Sequence, residues 1–281
     1  MSWRTVSRRE LPAIVAFLLP DEALHVPFTS RLRGGARGCD VYRNLDAGGV
    51  IRESILYTAG GLLLPVLSDD PSNTVEGRAE LASLLQDLRP PVHSIMGIGR
   101  CVGAAERLLP AVPTTRIEYF LMTVDRETLR PALPFESQRL RVRRADLSDA
   151  EALLPMQKGY ELEEVIIDPV HFNDANCFRL LKTALKEELV YVAELDGVPV
   201  AKAATNARGF GVDQIGGVYT IPEERGKGLG AIVVTELLRV LMNEKSRACL
   251  FVKKRNRPAI ALYDRLGFIP VTDYVISYYG L

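Results

Sequence analysis

A glycine-rich turn between a strand and a helix constrains the fold of this chain more than any other feature. The segment Val218–Ala231 starts with strand-type residues, passes Pro222, and then has glycine at positions 226, 228 and 230. Glycine lacks a Cβ, so the backbone there can approach a ligand closely. The first N–H groups of a helix have no intrahelical partners and lie at the positive end of its dipole. The turn therefore predicts an anion site, suited to a pyrophosphate, with added charge from Arg225 and Lys227.

A second segment, Phe251–Phe268, predicts a short helix with clear ends. Asn256 can cap this helix, Pro258 fits its first turn, and Gly267 suits the left-handed position that ends it. A helical repeat places the apolar side chains between them on one face, namely Ala259, Leu262 and Tyr263.

Together the two segments resemble the GNAT superfamily of acyl-CoA-dependent N-acetyltransferases. The resemblance rests on an R-x-x-G-x-G turn and an N-x-x-A-x-x-L-Y-x-x-x-G-F helix, and it covers about residues 138–281. The matching positions are Arg225, Gly228, Gly230, Asn256, Ala259, Leu262, Tyr263, Gly267 and Phe268. The resemblance implies an α/β fold, with a mixed and mostly antiparallel sheet flanked by helices, and acetyl-CoA as cosubstrate.

The same resemblance assigns roles residue by residue. The strand residues that match the backbone along the pantetheine arm are Val218, Tyr219 and Thr220. The main-chain amides expected around the pyrophosphate are those of Arg225, Gly226, Lys227, Gly228, Leu229 and Gly230. Asn256 matches the residue near the pantetheine amide. Tyr263 matches the tyrosine that protonates the departing CoA thiolate, which is general-acid work. Its alternative role is that of a core aromatic. The basic run Lys253, Lys254, Arg255 and Arg257 either meets the 3′-phosphate of CoA or is a solvated charge run.

An amine acceptor must lose a proton before it attacks, so a base is expected. Three carboxylates are candidates: Glu163 and Glu164, between two predicted helices, and Asp213, just before the strand that contains Val218. The adjacent pair is preferred, because neighbouring like charges can raise one pKa toward the range of a base.

The first half of the chain predicts a similar order of elements, namely a hairpin, a helix, a strand, a helix and a strand. This order indicates a duplicated architecture. The proline-rich segment Arg130–Phe135 predicts a linker, and a boundary after Ser137 gives lobes 1–137 and 138–281. The first lobe resembles a degenerate GNAT lobe, as in two-lobed bacterial members. Acidic Asp69, Asp70 and Glu76 replace the phosphate turn there, so no CoA binding is expected in this lobe.

A rival motif lies at Gly97–Gly103, where a predicted strand leads into a helix. A dinucleotide fingerprint of the form G-x-G-x-x-G requires glycine at Val102, and no run of βαβ units surrounds the segment. We therefore interpret it as a tight strand-to-helix turn.

Composition disfavours several classes of function. The 35 basic and 35 acidic residues give zero formal net charge, which disfavours a general nucleic-acid or polybasic membrane binder. Arg8–Leu19 predicts an amphipathic helix, not a signal peptide or a membrane span. Scattered cysteines and histidines predict neither disulfides nor a metal site, and a cytoplasmic location is expected.

The sequence as a whole predicts an enzyme that moves acetyl from acetyl-CoA to a small-molecule or peptide amine by direct attack. A longer acyl or aminoacyl donor is a close variant. The alternative class is a non-catalytic acyl-CoA sensor or an interaction module. The sequence does not fix the acceptor or the oligomeric state. Five aromatics either line the acceptor cleft or pack in the core: Tyr160, Phe172, Tyr274, Tyr278 and Tyr279.

Overall fold

The structure is a computed structural model that describes residues 3–68, 75–132 and 139–280. The predicted boundary after Ser137 and half of the proline-rich segment, residues 133–135, lie outside the described residues. Asp69, Asp70 and the side chain of Glu76 lie outside them as well.

Eight α-helices and twelve strands form within the described ranges. The helices are α1 (Leu11–Leu18), α2 (Glu22–Arg33), α3 (Val75–Asp87), α4 (Gly99–Glu106), α5 (Ala150–Tyr160), α6 (Asp174–Glu187), α7 (Leu229–Glu244) and α8 (Arg257–Arg265). The strands are β1 (Trp3–Thr5), β2 (Cys39–Leu45), β3 (Ile51–Thr58), β4 (Leu62–Val66), β5 (Ser94–Ile98), β6 (Thr115–Asp125), β7 (Leu140–Arg144), β8 (Val190–Leu195), β9 (Val198–Arg208), β10 (Val212–Thr220), β11 (Arg247–Lys253) and β12 (Ile269–Tyr278).

All twelve described strands belong to one mixed sheet, in the order β1-β2-β3-β4-β5-β12-β6-β11-β10-β9-β8-β7. The two halves exchange their last strands. β6 of the first half pairs antiparallel with β11 of the second half, and β12 of the second half pairs with β5 of the first. β6 and β12 also pair with each other, through nine residue pairs from Ile269–Thr123 to Tyr278–Thr115.

Helices cover both faces of the second half. One face packs on α7 through apolar side chains such as Val233, Val234 and Leu237, which are fully buried. The other face packs on α5 and α6, where Leu153 and Leu181 are buried. The predicted fold class, a mixed and mostly antiparallel sheet flanked by helices, is confirmed.

The predicted repetition of elements is confirmed too. The run β2-β3-β4-α3-β5-α4-β6 in the first half corresponds to β8-β9-β10-α7-β11-α8-β12 in the second. The Asp196-Gly197 turn joins β8 and β9 with positive φ at both residues, as an Asp-Gly hairpin requires. The helix α2 and the strands β1 and β2 were not predicted from the sequence. Pro27 inside α2 and a non-helical His25 explain the first omission, because proline normally ends a helix.

The continuous helical segment Arg8–Arg33 is long and apolar enough to cross a membrane by length and composition alone. In the structure it lies against the sheet. Ile14 and Leu18 are buried against β3 and β4, and α2 reaches across to β9 and β10 of the second half.

Candidate active site

The centre of the second half opens into a cleft of about 1720 Å³. β10 and β11 pair only from Val212–Arg247 to Gln214–Cys249, and then diverge. The described ladders give the β11-facing edge of Ile215–Thr220 no strand partner, and this edge borders the cleft. The cleft therefore passes between two strands and opens toward α7 and α8 on one side and α5 and α6 on the other.

The glycine-rich turn forms the α7 end of this cleft. Gly226 and Gly228 have φ of 79° and 81°, which only glycine adopts without strain, and a Cβ on either would meet nothing within 4 Å. Gly228 is the N-cap of the 16-residue α7, so the next N–H groups lie free at the positive end of its dipole. The open space and the free donors fit a pyrophosphate.

Arg225 and Tyr219 meet at the predicted base Glu163. The Arg225 guanidinium donates to both carboxylate oxygens of Glu163, at 2.9 and 2.8 Å, and the Tyr219 phenol donates at 2.8 Å. Partial burial acts to raise the pKa of Glu163, but these hydrogen bonds and the Arg225 charge outweigh it and lower the pKa. Of the predicted pair, Glu163 is therefore the carboxylate whose pKa is not raised, because the cation next to it outweighs burial.

Glycine at position 159 makes the Tyr219 contact possible. A Cβ there would lie 2.8 Å from Cζ of Tyr219, closer than real Cβ atoms approach. α5 therefore presents bare backbone where the phenol passes on its way to Glu163.

Glu164 faces the other predicted motif. Asn256 caps α8 through its Oδ1, which accepts from the Ala259 N–H at 3.1 Å, as predicted. Its Nδ2 donates to Glu164 at 2.9 Å, and Lys253 Nζ lies 3.3 Å from the same carboxylate. The two carboxylates of the predicted pair thus diverge, one toward the phosphate turn and the other toward the start of α8.

Comparison with known proteins gives this geometry a family. Residues 156–268, which contain both motifs, match the model of the Acetyltransferase (GNAT) family. This segment of the chain is therefore similar to a GNAT domain. A mycothiol acetyltransferase from Acidothermus cellulolyticus is 34% identical over 79 residues, which are 27% of this chain and 24% of that protein. The match thus spans about a quarter of that relative.

Solved structures extend the fold likeness over the whole chain. A Drosophila protein superimposes with a TM-score of 0.71 at 13% identity, covering 99% of this chain and 98% of that one. A tandem GNAT protein from the clavulanic acid biosynthesis pathway gives 0.63 at 14% identity, covering 98% and 97%. A GNAT-family acetyltransferase from Colwellia psychrerythraea gives 0.61 at 12% identity over both full chains. The fold is therefore that of a two-lobed GNAT protein.

Tyr263 lies in the wall of the cleft and is 8% exposed. Burial raises the pKa of its phenol well above the usual range, and Tyr160 and Glu164 raise it further. Burial likewise raises the pKa of Tyr160 to about 12, with a smaller contribution from Glu164. Both phenols keep their protons at neutral pH.

Asp213 does not line the cleft, although its strand does. Its side chain is fully buried on the α7 side, 3.4 Å from Arg208 Nε, and burial raises its pKa. The next residue, Gln214, faces the cleft instead. The structure therefore gives no support to Asp213 as the base.

The second half also contains a buried lysine that was not predicted from the sequence. Lys202 is 3% exposed; its ammonium donates to the Gly217 carbonyl at 3.0 Å and lies 4.8 Å from the Tyr160 ring centroid. Burial lowers the pKa of Lys202 to about 8, against the attraction of Glu161. Lys202 thereby holds the irregular stretch of β10 between Gly216 and Tyr219. A lysine among the apolar residues of a predicted strand was the signal that could have found it.

The remaining predicted residues divide between cleft and core. Val218, Thr220, Lys227, Leu229, Gly230, Tyr160 and Tyr278 line the cleft. Tyr274 and Tyr279 are buried, and Tyr274 stacks on Phe251 with ring centroids 4.8 Å apart. Within the basic run Lys253 reaches the cleft, whereas Lys254 pairs with Asp273 at 2.9 Å. Phe172, Arg255 and Arg257 are not among the described lining residues.

The first half closes the place that corresponds to the cleft. β4 and β5 pair in parallel at Leu62–Ser94 and Leu63–Ile95, as β10 and β11 do. Beyond that point Cys101 of α4 fills the gap, with its sulfur 3.3 Å from the Leu67 nitrogen and 3.2 Å from the Leu67 oxygen. Gly97–Gly103 runs from β5 directly into α4 and forms the tight strand-to-helix turn that the sequence predicts. The first half instead contributes Met96 and Tyr119 to the wall of the cleft in the second half.

Proposed function

We propose that this protein is an N-acetyltransferase that transfers acetyl from acetyl-CoA to an amine by direct attack. The observation that carries the proposal is the phosphate turn. Two glycines with positive φ, open space at both, and the free N–H groups of α7 lie at one end of a cleft between diverging strands. The GNAT family match over residues 156–268 supports acetyl transfer as the general activity.

The residues present fit acetyl-CoA. Main-chain amides at 228–231 would hold the pyrophosphate, and the free edge of Ile215–Thr220 would accept hydrogen bonds from, and donate them to, the pantetheine amides. When bound, acetyl-CoA supplies an acetyl group whose C–S bond breaks as the amine nitrogen forms the new C–N bond. Glu163 holds Arg225 across the turn and so fixes its conformation.

Tyr263 is the proposed proton donor. Its raised pKa keeps the phenol protonated, and its position in the cleft wall supports donation to a departing thiolate sulfur. Glu164 is the proposed base among the three candidate carboxylates. It lines the cleft, pairs with Lys253 at 3.3 Å, and raises the pKa of both Tyr160 and Tyr263, which puts it near the proposed proton donor. Glu163 is instead held by Arg225 through both carboxylate oxygens, and its pKa is lowered.

The test is calorimetric titration of the purified protein with acetyl-CoA, repeated with Gly228→Glu and Gly49→Glu. Gly49 is the matched control, because it has φ of 80° and nothing within 4 Å of a Cβ, but lies in the β2–β3 hairpin. A carboxylate about 4 Å from a phosphate costs about 4 kcal/mol at an intermediate dielectric, so Gly228→Glu should weaken binding about 1000-fold. Gly49→Glu should bind as the wild type does.

Equal binding by the wild type and Gly228→Glu would overturn the assignment of the turn. Tight binding without acetylation of any amine in a broad screen would instead favour the acyl-CoA sensor. Acetylation of an amine, lost in Gly228→Glu, is the expected result.

A further inference from the structure

The charged side chains of the cleft are divided between its two ends. At the end near α7 and α8, Arg225, Lys253 and Lys227 form ion pairs with Glu163, Glu164 and Glu224. The other lining bases, Arg130 and Arg265, belong to the same side, since the Arg130 nitrogen donates to the carbonyl of Leu266 at 2.9 Å. The acidic groups at this end are therefore matched by cations before any phosphate binds, and two further cations remain.

The opposite end, along α6, has the reverse character. One face of α6 lines the cleft at Asn176, Leu180, Thr183, Ala184 and Glu187, and Glu188 follows directly. We call this part, together with Asn206 and Gln214 of the facing strands, the α6 groove. Glu187 and Glu188 form no ion pair with any described residue, and they lie at the C-terminal, negative end of the α6 dipole.

Glu188 is held in place without being neutralised. Its carboxylate accepts a hydrogen bond from the Thr205 hydroxyl. Burial raises the pKa of Glu188, and Arg208 opposes that effect without overcoming it. The α6 groove therefore presents two carboxylates that form no ion pair with any described residue, and one of them is held in place by a hydrogen bond.

The floor of the α6 groove contains an unused acceptor. Gln214 is 2% exposed, and its Oε1 has no hydrogen-bond partner. Burial of an unpaired carbonyl of this kind costs about 1–3 kcal/mol unless a ligand supplies a donor. The neighbouring Gly216 keeps the floor low, because a Cβ there would lie 2.8 Å from Cβ of Asn206.

The shape of the α6 groove is long and its middle is apolar. From Asn176 to Glu187 a helix rises about 16 Å. Leu180 is 42% exposed on this face, and Ala184 lies one turn further on. At the end of the groove near Asn176, Glu161, which is 7% exposed, brings another carboxylate to the cleft wall. Acidic groups thus lie at both ends of a stretch that offers methylene-sized contacts.

We propose that the α6 groove binds an aliphatic diamine or polyamine as the acetyl acceptor. One ammonium group lies by Glu187 and Glu188, the methylene chain lies on Leu180 and Ala184, and an N–H of the chain donates to Gln214. This inference rests on the proposed function, because it names the acceptor of the same cleft.

The first experiment measures binding directly, without turnover. The full chain is titrated with spermidine, 1,4-diaminobutane and butylamine by calorimetry, in the presence and absence of CoA. A hydrogen bond between charged groups contributes about 1.5–3 kcal/mol, so the diamine and spermidine should bind about 10–100-fold more tightly than butylamine.

Two variants localise the site. Gln214→Leu removes the unused acceptor, and Glu187→Gln removes one charge; each should weaken spermidine binding about tenfold and leave butylamine binding unchanged. Glu80→Gln on the exposed face of α3 makes the same charge change outside the cleft, and should bind spermidine as the wild type does. Melting temperatures check that each variant folds.

Equal affinity for butylamine and the diamines, or wild-type spermidine binding by both Gln214→Leu and Glu187→Gln, would overturn the inference. Acetyl-CoA titrations on the same samples separate the two proposals. Normal acetyl-CoA binding without polyamine binding removes the acceptor class alone. Polyamine binding with no acetyl-CoA binding would instead remove the proposed function.

Discussion

The two halves of the molecule share an order of elements but differ at one point, the gap beyond the parallel strand pair. In the second half the gap between β10 and β11 is an open cleft bordered by the glycine turn. In the first half Cys101 bridges the corresponding gap by contacts to both main-chain polar atoms of Leu67. The helix after the parallel pair thus differs between the halves. In the second half α8 is capped by Asn256 and lines the open cleft, whereas in the first half α4 places Cys101 in the gap.

The largest expected effect concerns the two carboxylates that diverge into the open cleft. Glu164→Gln should lower kcat by about 100-fold or more, because general-base catalysis contributes about 10²–10⁴-fold. Glu163→Gln should mainly raise the KM for acetyl-CoA, because it frees Arg225 from the turn. Steady-state kinetics with an amine from the screen, at varied acetyl-CoA, measures both parameters. The opposite division, with kcat lost in Glu163→Gln alone, would move the base to Glu163.

The second prediction contrasts the halves through pH. The first 157 residues contain arginine but no lysine, whereas the second half buries Lys202 with a pKa lowered to about 8. Unfolding returns that pKa to about 10.4, so the unfolded chain binds more protons between these values. Lys202 therefore lowers the free energy of unfolding by its full amount below pH 8. This penalty, about 3 kcal/mol, disappears as the pH rises toward 10.4.

Denaturant titrations of the wild type and Lys202→Met at pH 7 and pH 9.5 test this. The free energy of unfolding of the wild type should rise relative to the variant at the higher pH. A difference between the two proteins that does not change with pH would mean that Lys202 is not held at the lowered pKa.

The third prediction tests the contact between α5 and the cleft strand. Gly159→Ala should destabilise the protein by about 1–3 kcal/mol through overpacking, and should displace Tyr219 from Glu163. Gly103→Ala in α4 is the control in the first half, since its Cβ would lie 3.6 Å from the nearest atom, an ordinary contact. That variant should be neutral or slightly stabilised. Thermal unfolding and the KM for acetyl-CoA report the two effects; an unchanged KM in a destabilised Gly159→Ala protein would uncouple the Tyr219 contact from the turn.

The smallest effect is expected at the closed gap. Cys101→Ala should cost about 1–2 kcal/mol, because the Leu67 main chain loses a partner and a small void forms. It should add no second acetyl-CoA site, since the sequence before α3 has acidic Asp69, Asp70 and Glu76 where the second half has its glycine turn. Calorimetric stoichiometry decides this: two equivalents of acetyl-CoA per chain would show that Cys101 alone closes the first lobe.

The sequence predicted the parts of this structure that depend on local chemistry. Glycines with positive φ, the Asn256 cap, and the Gly267 end of α8 all occur where the residue types required them. α2 was not predicted because Pro27 disfavours a helix and His25 has a non-helical backbone. Tertiary packing against β9 and β10 overrides this local preference. Lys202, Glu188 and Gln214 were missed because their roles depend on which face of a strand or helix end meets the cleft. The sequence also did not indicate which carboxylate of the Glu163–Glu164 pair has a lowered pKa, because Arg225, the partner of Glu163, lies 62 positions away.

The exchange of β6 and β12 has a consequence for synthesis of the chain. β5 pairs with β4 on one side, but it cannot pair with β12 on its other side until residues 269–278 have left the ribosome. The first half therefore waits, with one edge open, through the translation of more than a hundred further residues. Its own last strand, β6, waits for β11 in the same way. Both lobes therefore depend on the same late segment, because β12 pairs with both β5 and β6 of the first half.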